Sequence, residues 1–137
     1  MSPGKVAIAV TFAALFGSFI GASADEHEYS GVFVISDISV SKDAAYENYR
    51  KAVKPAIENC GATYVVRAGA KFVTDNPTSG ILYSSGDWNP DRIVVLHFDS
   101  VEQADACFSS PEYEAAYALR EGGASGKTLI VNAYRPD

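Results

Sequence analysis

Between Gly86 and Tyr117 the sequence reads Gly-Asp-Trp-Asn-Pro-Asp-Arg, then Ile-Val-Val-Leu-His-Phe, then Asp-Ser-Val-Glu-Gln-Ala, and closes through Ser-Ser-Pro-Glu-Tyr. That is a turn, a buried strand, a helix opened by a capping box at Ser100, and a helix restarted at Ser110-Pro111. Proline at the first helical position gives up an N–H that has no partner there anyway. A strand and a two-part helix in this order need a second strand–helix unit to bury them, and the first half of the chain supplies one.

Val32 to Val40 is rich in Val, Ile and Phe and ends at a polar cluster, so it reads as a strand. Ser41-Lys42-Asp43 offers side-chain caps to a helix whose apolar positions are Tyr46, Tyr49, Val53, Ala56, Ile57 and Cys60, three or four apart. Gly61 closes it, and Pro55 inside it predicts a kink or a local break. Ala62 to Ala68 is the second strand, Arg92 to Phe98 the third and Thr128 to Tyr134 the last, with Gly122-Gly123 ending the second helical region. Residues 71–91, with Asn76-Pro77-Thr78-Ser79-Gly80 and Asn89-Pro90, form a long excursion read as a hairpin extension.

The sum is β-α-β-β-α-β, an α+β class built on a split βαβ arrangement. Right-handed crossovers put both helices on one face of a four-stranded antiparallel sheet of order 4-1-3-2. The other face is expected to carry Phe33, Ile35, Val65, Ile93, Val95 and Ile130. Apolar area of that size is unfavourable in water at ~25 cal/mol per Å², so a second copy of the chain is its economical cover.

The amino terminus is a separate object. Lys5 precedes an apolar run, Val6 to Ile20, and Ala22-Ser23-Ala24 supplies small residues before acidic Asp25-Glu26. This is the secretory signal pattern, and the run is short of the ~20 residues that span a bilayer. The reading is a signal peptide over 1–24, a polar lead-in over 25–31 containing a solvated His27, and a folded domain over 32–137, with no stable membrane anchor. The protein is then exported, periplasmic or secreted. Seventeen acidic against eleven basic residues leave −6, and removing Lys5 leaves −7. Nucleic acid is therefore not an expected partner.

The two cysteines, Cys60 and Cys107, would meet an oxidising compartment. They fit two readings: small buried hydrophobes, or a disulfide between the end of the first helix and the start of the second. No Cys-x-x-Cys and no Cys/His cluster exists, so no metal is expected. No cofactor is expected either; haem would want an axial histidine, for which His97 is the one candidate in the folded part. Gly122-Gly123-Ala124-Ser125-Gly126-Lys127-Thr128 imitates a phosphate loop, but Glu121 stands where its first glycine belongs and a strand follows instead of a helix. It reads as a loop.

Alternation along the strands assigns Phe33, Ile35 and Asp37 to a cleft on the helix-free face, Arg67 to the same face with Val65, and His97 with Ile93 and Val95. Asn132 and Tyr134 are candidates on the last strand. Asp37 and Arg67 are within reach of each other across two interstrand gaps of ~9–10 Å in total. They form either an ordering ion pair or an anion-binding pair in a small-molecule cleft. Arg92 belongs at the same end. His97 lies at the other end, ~16 Å from Arg92, which makes it a core histidine more readily than a base and argues against a dyad with Asp37 in one subunit; only a partner subunit could bring the two ends together. Trp88 reads as a lid over a cleft mouth or a dimer contact. Tyr46, Tyr49, Tyr113 and Tyr117 are spaced as helix core.

Across roughly residues 31 to 135 the chain resembles the uncharacterised family DUF1330, which has a ferredoxin-like, dimeric α/β-barrel fold. The likeness lies in the 86–117 order, in Val34-Ile35-Ser36-Asp37-Ile38, in Tyr64-Val65-Val66-Arg67-Ala68-Gly69, and in the Tyr46/Tyr49 helix, Trp88, Arg92 and Ser110-Pro-Glu-Tyr113. The signal peptide and the long 71–91 segment depart from the family's plain form. The resemblance implies a homodimer, and relatives of the barrel include cofactor-independent monooxygenases, lactone isomerases and haem-handling proteins. Three classes stay open: a module binding a small, partly apolar ligand; a cofactor-independent enzyme; and a structural dimer without ligand.

Overall fold

The computed structural model describes residues 30–69 and 80–135; the expected signal peptide over 1–24 and residues 25–29 of the lead-in, with His27, lie outside them, as do residues 71–79 of the excursion. The elements are β1 (Val32–Val40), α1 (Asp43–Asn59), β2 (Thr63–Gly69), β3 (Arg92–Phe98), α2 (Val101–Phe108), α3 (Pro111–Ala118) and β4 (Ala124–Asn132). The sheet runs β2-β3-β1-β4 with every neighbouring pair antiparallel. This is the α+β, ferredoxin-like arrangement, with the second helical region divided into α2 and α3.

The core lies between the helices and one sheet face. Val32, Val34, Ile38 and Val40 of β1 alternate into it, joined by Leu96 and Phe98 of β3 and by Tyr46, Tyr49, Val53 and Ile57 along α1. Phe98, fully buried, meets Phe108 of α2 edge to face at 5.6 Å. Ser100 caps α2 by accepting from Gln103 N at 3.1 Å, and Gln103 Oε1 accepts from Asp99 N at 2.8 Å. Ser110 caps α3 through Tyr113 N at 3.2 Å. Each cap satisfies an N–H the helix itself leaves open.

Four sequence expectations change. The start of α1 has no side-chain cap; instead Ser41 N and Lys42 N both donate to Gly123 O, at 2.9 and 3.0 Å, so a contact with the entry to β4 fixes this end. The helix runs unbroken through Pro55. β4 begins at Ala124, not Thr128, because the nine residues of β1 offer a full pairing edge as far as Val40↔Ala124. The Ala-Ser-Gly-Lys stretch read as a loop is thus strand, despite a weak intrinsic preference for it. Finally, Ile81 to Pro90 forms neither helix nor strand, so the hairpin extension is absent from the described part of the excursion. Pro90 has no N–H for a ladder, and side-chain bonds hold this end instead: Asp91 Oδ2 accepts from Val40 N at 2.7 Å, and Trp88 Nε1 donates to Asp37 Oδ2 at 2.7 Å.

Cys60 and Cys107 are joined as a disulfide, with α-carbons 5.5 Å apart. It fastens the end of α1 to α2, and Gln103 Nε2 reinforces the junction by donating to Cys60 O at 2.8 Å.

Candidate functional site

Antiparallel partners share a sheet face, so the strand pairing shows which way each candidate points. Phe33, Ile35 and Asp37 lie with His97, Val95 and Ile93 on the helix-free face, and Leu129 and Val131 of β4 pair with Ile35 and Phe33 there. Ile130, expected on that face, pairs with Val34 and belongs to the helix side, as does Asn132, which pairs with Val32. Tyr134 lies beyond the end of β4 and is exposed.

β2 carries the larger correction. Its register with β3 shifts between Tyr64 and Val66: Tyr64 pairs with Leu96, but Val66 pairs with Val95 and Arg67 with Val94. Val65 is the extra residue of a β-bulge, and a one-residue slip inverts every later side chain. Val66 takes the place expected of Val65 on the helix-free face, and Arg67 turns to the helix side. Asp37 and Arg67 therefore occupy opposite faces and do not pair. Asp37 holds Trp88 instead. His97 sits opposite Phe33, with ring centroids 5.4 Å apart, and its Nε2 bonds the Ser30 carbonyl. It stands four residues along the strands from Asp37, ~13 Å.

The five candidates thus divide. Asp37, Trp88 and His97 are on the helix-free face, while Arg67 and Arg92 enter a pocket of about 260 Å³ between the sheet and α1, α2 and α3. Its floor is Val34, Ser36 and Ile38 of β1, Arg92, Val94 and Leu96 of β3, Tyr64 and Arg67 of β2, and Gly126 and Thr128 of β4. Its roof is Tyr46, Tyr49, Arg50, Val53 and Ile57 of α1, Phe108 of α2, Tyr113 and Tyr117 of α3, and Arg120 just beyond.

Four of the chain's five arginines line this one pocket, and no carboxylate does so among the described residues. Arg50 bonds Glu47 at 2.7 Å. Arg67 stacks on Tyr64 at 4.6 Å, and Arg92, 2% exposed, lies 5.7 Å from the Tyr46 ring. Arg120, 7% exposed, stacks on Tyr117 at 4.2 Å and Tyr49 at 5.1 Å, and its Nη2 donates to Tyr117 Oη at 2.9 Å. Ring faces attract these cations but leave their N–H donors to be satisfied by something else.

Burial pulls the Arg92 guanidinium below its ordinary pKa. Burial also raises the phenols of Tyr46, Tyr49 and Tyr113, and pushes Tyr64 up to about 12. The phenols therefore stay neutral near pH 7. The described lining contains no carboxylate, imidazole or thiol, so it offers cationic donors and aromatic walls but no side chain suited to take a proton. Such a set has the chemistry to attract and orient an anion. The described residues also hold no group of three or more His, Cys, Asp or Glu able to bind a metal.

The tyrosines read as helix core are also walls of the pocket. Arg50 and Arg120 were not singled out by sequence reasoning; the available signal was Arg50 standing four residues after Tyr46 within an apolar helical stripe.

Residues 31–134 match the family described as "Domain of unknown function (DUF1330)". No curated protein matches the chain. Among solved structures it is similar to RPA0582 of Rhodopseudomonas palustris, a protein of unknown function, at 16% identity and a TM-score of 0.59, covering 82% of this chain and 88% of that one. It is also similar to SnoaB of Streptomyces nogalater, a cofactor-independent oxygenase, at 8% identity and a TM-score of 0.52, covering 78% and 96%. At these identities the likeness concerns the fold alone.

Proposed function

The chain belongs to the DUF1330 family, and we propose that it is a binding module for a small organic anion with an apolar body. The site is the pocket between the helices and the sheet, and the cluster of four arginines carries the reading. A protein of net charge −6 that gathers most of its arginines around one cavity creates a local positive potential. Tyrosine, valine and leucine side chains supply the apolar contact, and about 260 Å³ limits the guest to a small molecule.

Calorimetric titration with octanoate and with neutral octanamide tests this. Octanoate should bind about tenfold tighter or more, since a hydrogen bond to a charged group contributes ~1.5–3 kcal/mol. Arg67→Gln combined with Arg120→Gln should erase the preference. Equal binding of the two probes by the wild type would defeat the anion reading. SnoaB's oxygenase activity is the alternative in the enzyme class, but the shortage of proton acceptors in the described lining favours binding.

The helix-free face supports a homodimer. Leu129 is 53% exposed, Val131 41% and Trp88 55%, beside half-buried Phe33, Ile35 and Val95. Contiguous apolar surface of this kind is characteristic of an interface. Light scattering at micromolar concentration should give twice the chain mass, and Val95→Asp should yield monomer or aggregate by placing an unpaired charge in the contact. A monomeric wild type would count against the dimer.

Export is part of the same reading. The Cys60–Cys107 bridge supports it, because such bonds persist in oxidising compartments. Among the described residues no helix is long and apolar enough to cross a membrane. Intact-mass analysis of the protein from its native cells should place the mature amino terminus at Asp25; a full-length chain held in membranes would indicate an anchor.

A further inference from the structure

We propose that the pocket is shaped for a dianion, a slender molecule with a carboxylate at each end, gripped by Arg67 at one edge of the sheet and Arg120 at the other. This rests on the anion-binding reading and narrows its ligand class.

The pairing register supplies the geometry. Arg67 on β2, Val94 on β3, Ser36 on β1 and Thr128 on β4 stand in one row across the sheet. Three interstrand gaps separate its ends, ~14 Å. The Arg67 guanidinium stays over β2 because it stacks on Tyr64 of the same strand, at 4.6 Å. Arg92 adds charge to this end: its Nη1 lies 3.1 Å from where a side chain on Gly69 of β2 would begin.

The opposite end belongs to Arg120. Its Nη2 lies 3.5 Å from where a side chain on Gly126 of β4 would begin, so the absent side chain leaves room for the guanidinium above that strand. Stacking on Tyr117 and Tyr49 and the bond to Tyr117 Oη hold it there. Its Nε is buried without a hydrogen-bond partner among the described residues, a costly state that a ligand oxygen at this end would help relieve.

Between the two ends the sheet offers Val94, Ser36 and Ile38, which carry no charge. One carboxylate can engage one guanidinium fork but cannot bridge two held a sheet's width apart. An acidic group at each end of an uncharged body satisfies both.

Calorimetry on the intact protein at fixed ionic strength distinguishes the cases, with suberate, succinate and octanoate as probes. Suberate should bind at least about tenfold tighter than octanoate, which has the same carbon count and one acid fewer. Succinate, too short to span, should lack that advantage. Arg120→Gln should bring the suberate-to-octanoate ratio close to one. Equal wild-type affinities for suberate and octanoate, succinate matching suberate, or an Arg120→Gln protein that keeps the ratio would each overturn the dianion assignment while leaving the anion pocket intact. Octanoate binding no better than octanamide would remove both. The wild-type comparison stands alone should Arg120→Gln not fold.

Discussion

Replacing Cys60 and Cys107 together by alanine is expected to lower the unfolding free energy by ~4 kcal/mol, the loop-entropy value for a cross-link of this span. The two cysteines are 47 residues apart in sequence, and the loop they close contains all of β2, the long connection and β3. In the unfolded chain the bridge removes much of that loop's freedom, while in the native fold the end of α1 already meets α2, where Gln103 Nε2 donates to Cys60 O at 2.8 Å. Alanine suits the test because Cys107 is 2% exposed and a polar replacement would add its own desolvation cost. For a domain of about a hundred residues the loss corresponds to a melting point lower by ~15–20 °C. Urea unfolding of the oxidised wild type, the reduced wild type and the double variant should give one high midpoint and two similar low ones. Three coincident midpoints, or two free thiols per chain in the denatured unreduced protein, would mean that the bridge does not form.

The second large effect is expected at Gly31, where the chain enters β1. Its φ of +91° lies where side chains are rarely tolerated, and a β-carbon there would stand 2.2 Å from Phe98 O and 2.8 Å from Asp99 O. Both neighbours are backbone atoms at the end of β3, opposite the first rung of the β1–β3 ladder, Val32↔Phe98. Gly31 O also accepts from Ala133 N at 2.9 Å, tying in the chain just past β4. Alanine at this position must disturb all three strands, and a loss of ~3 kcal/mol or more is expected from strain and broken pairing combined. Gly80→Ala is the control, since nothing lies within 4 Å of its added carbon, and its effect should stay within ~0.5 kcal/mol. Against a typical total of ~5–15 kcal/mol, the Gly31 variant should show a clearly lower denaturation midpoint. A midpoint equal to that of the control would contradict the close approach seen here.

The sequence by itself determined the element order, the antiparallel sheet and the limits of β1 and β3, because these depend on local patterns. Alternating Val and Ile residues, Ser100 and Ser110 as caps, and Gly61 after the first helix all act through their own backbone and near neighbours. It also marked Arg67 and Arg92 as polar groups on apolar strands, and Cys60 and Cys107 as within possible reach. Tertiary structure decided where those groups go. β4 extends back to Ala124 because β1 has an edge to pair with, which no property of Ala-Ser-Gly announces. The bulge at Val65 is set by the fit of β2 against β3, and strand alternation has a period of two, so one added residue moves Arg67 to the other side of the sheet. That inversion separates it from Asp37 and brings it to the same pocket as Arg50, Arg92 and Arg120, residues from three elements and the turn after α3 that only long-range packing could gather.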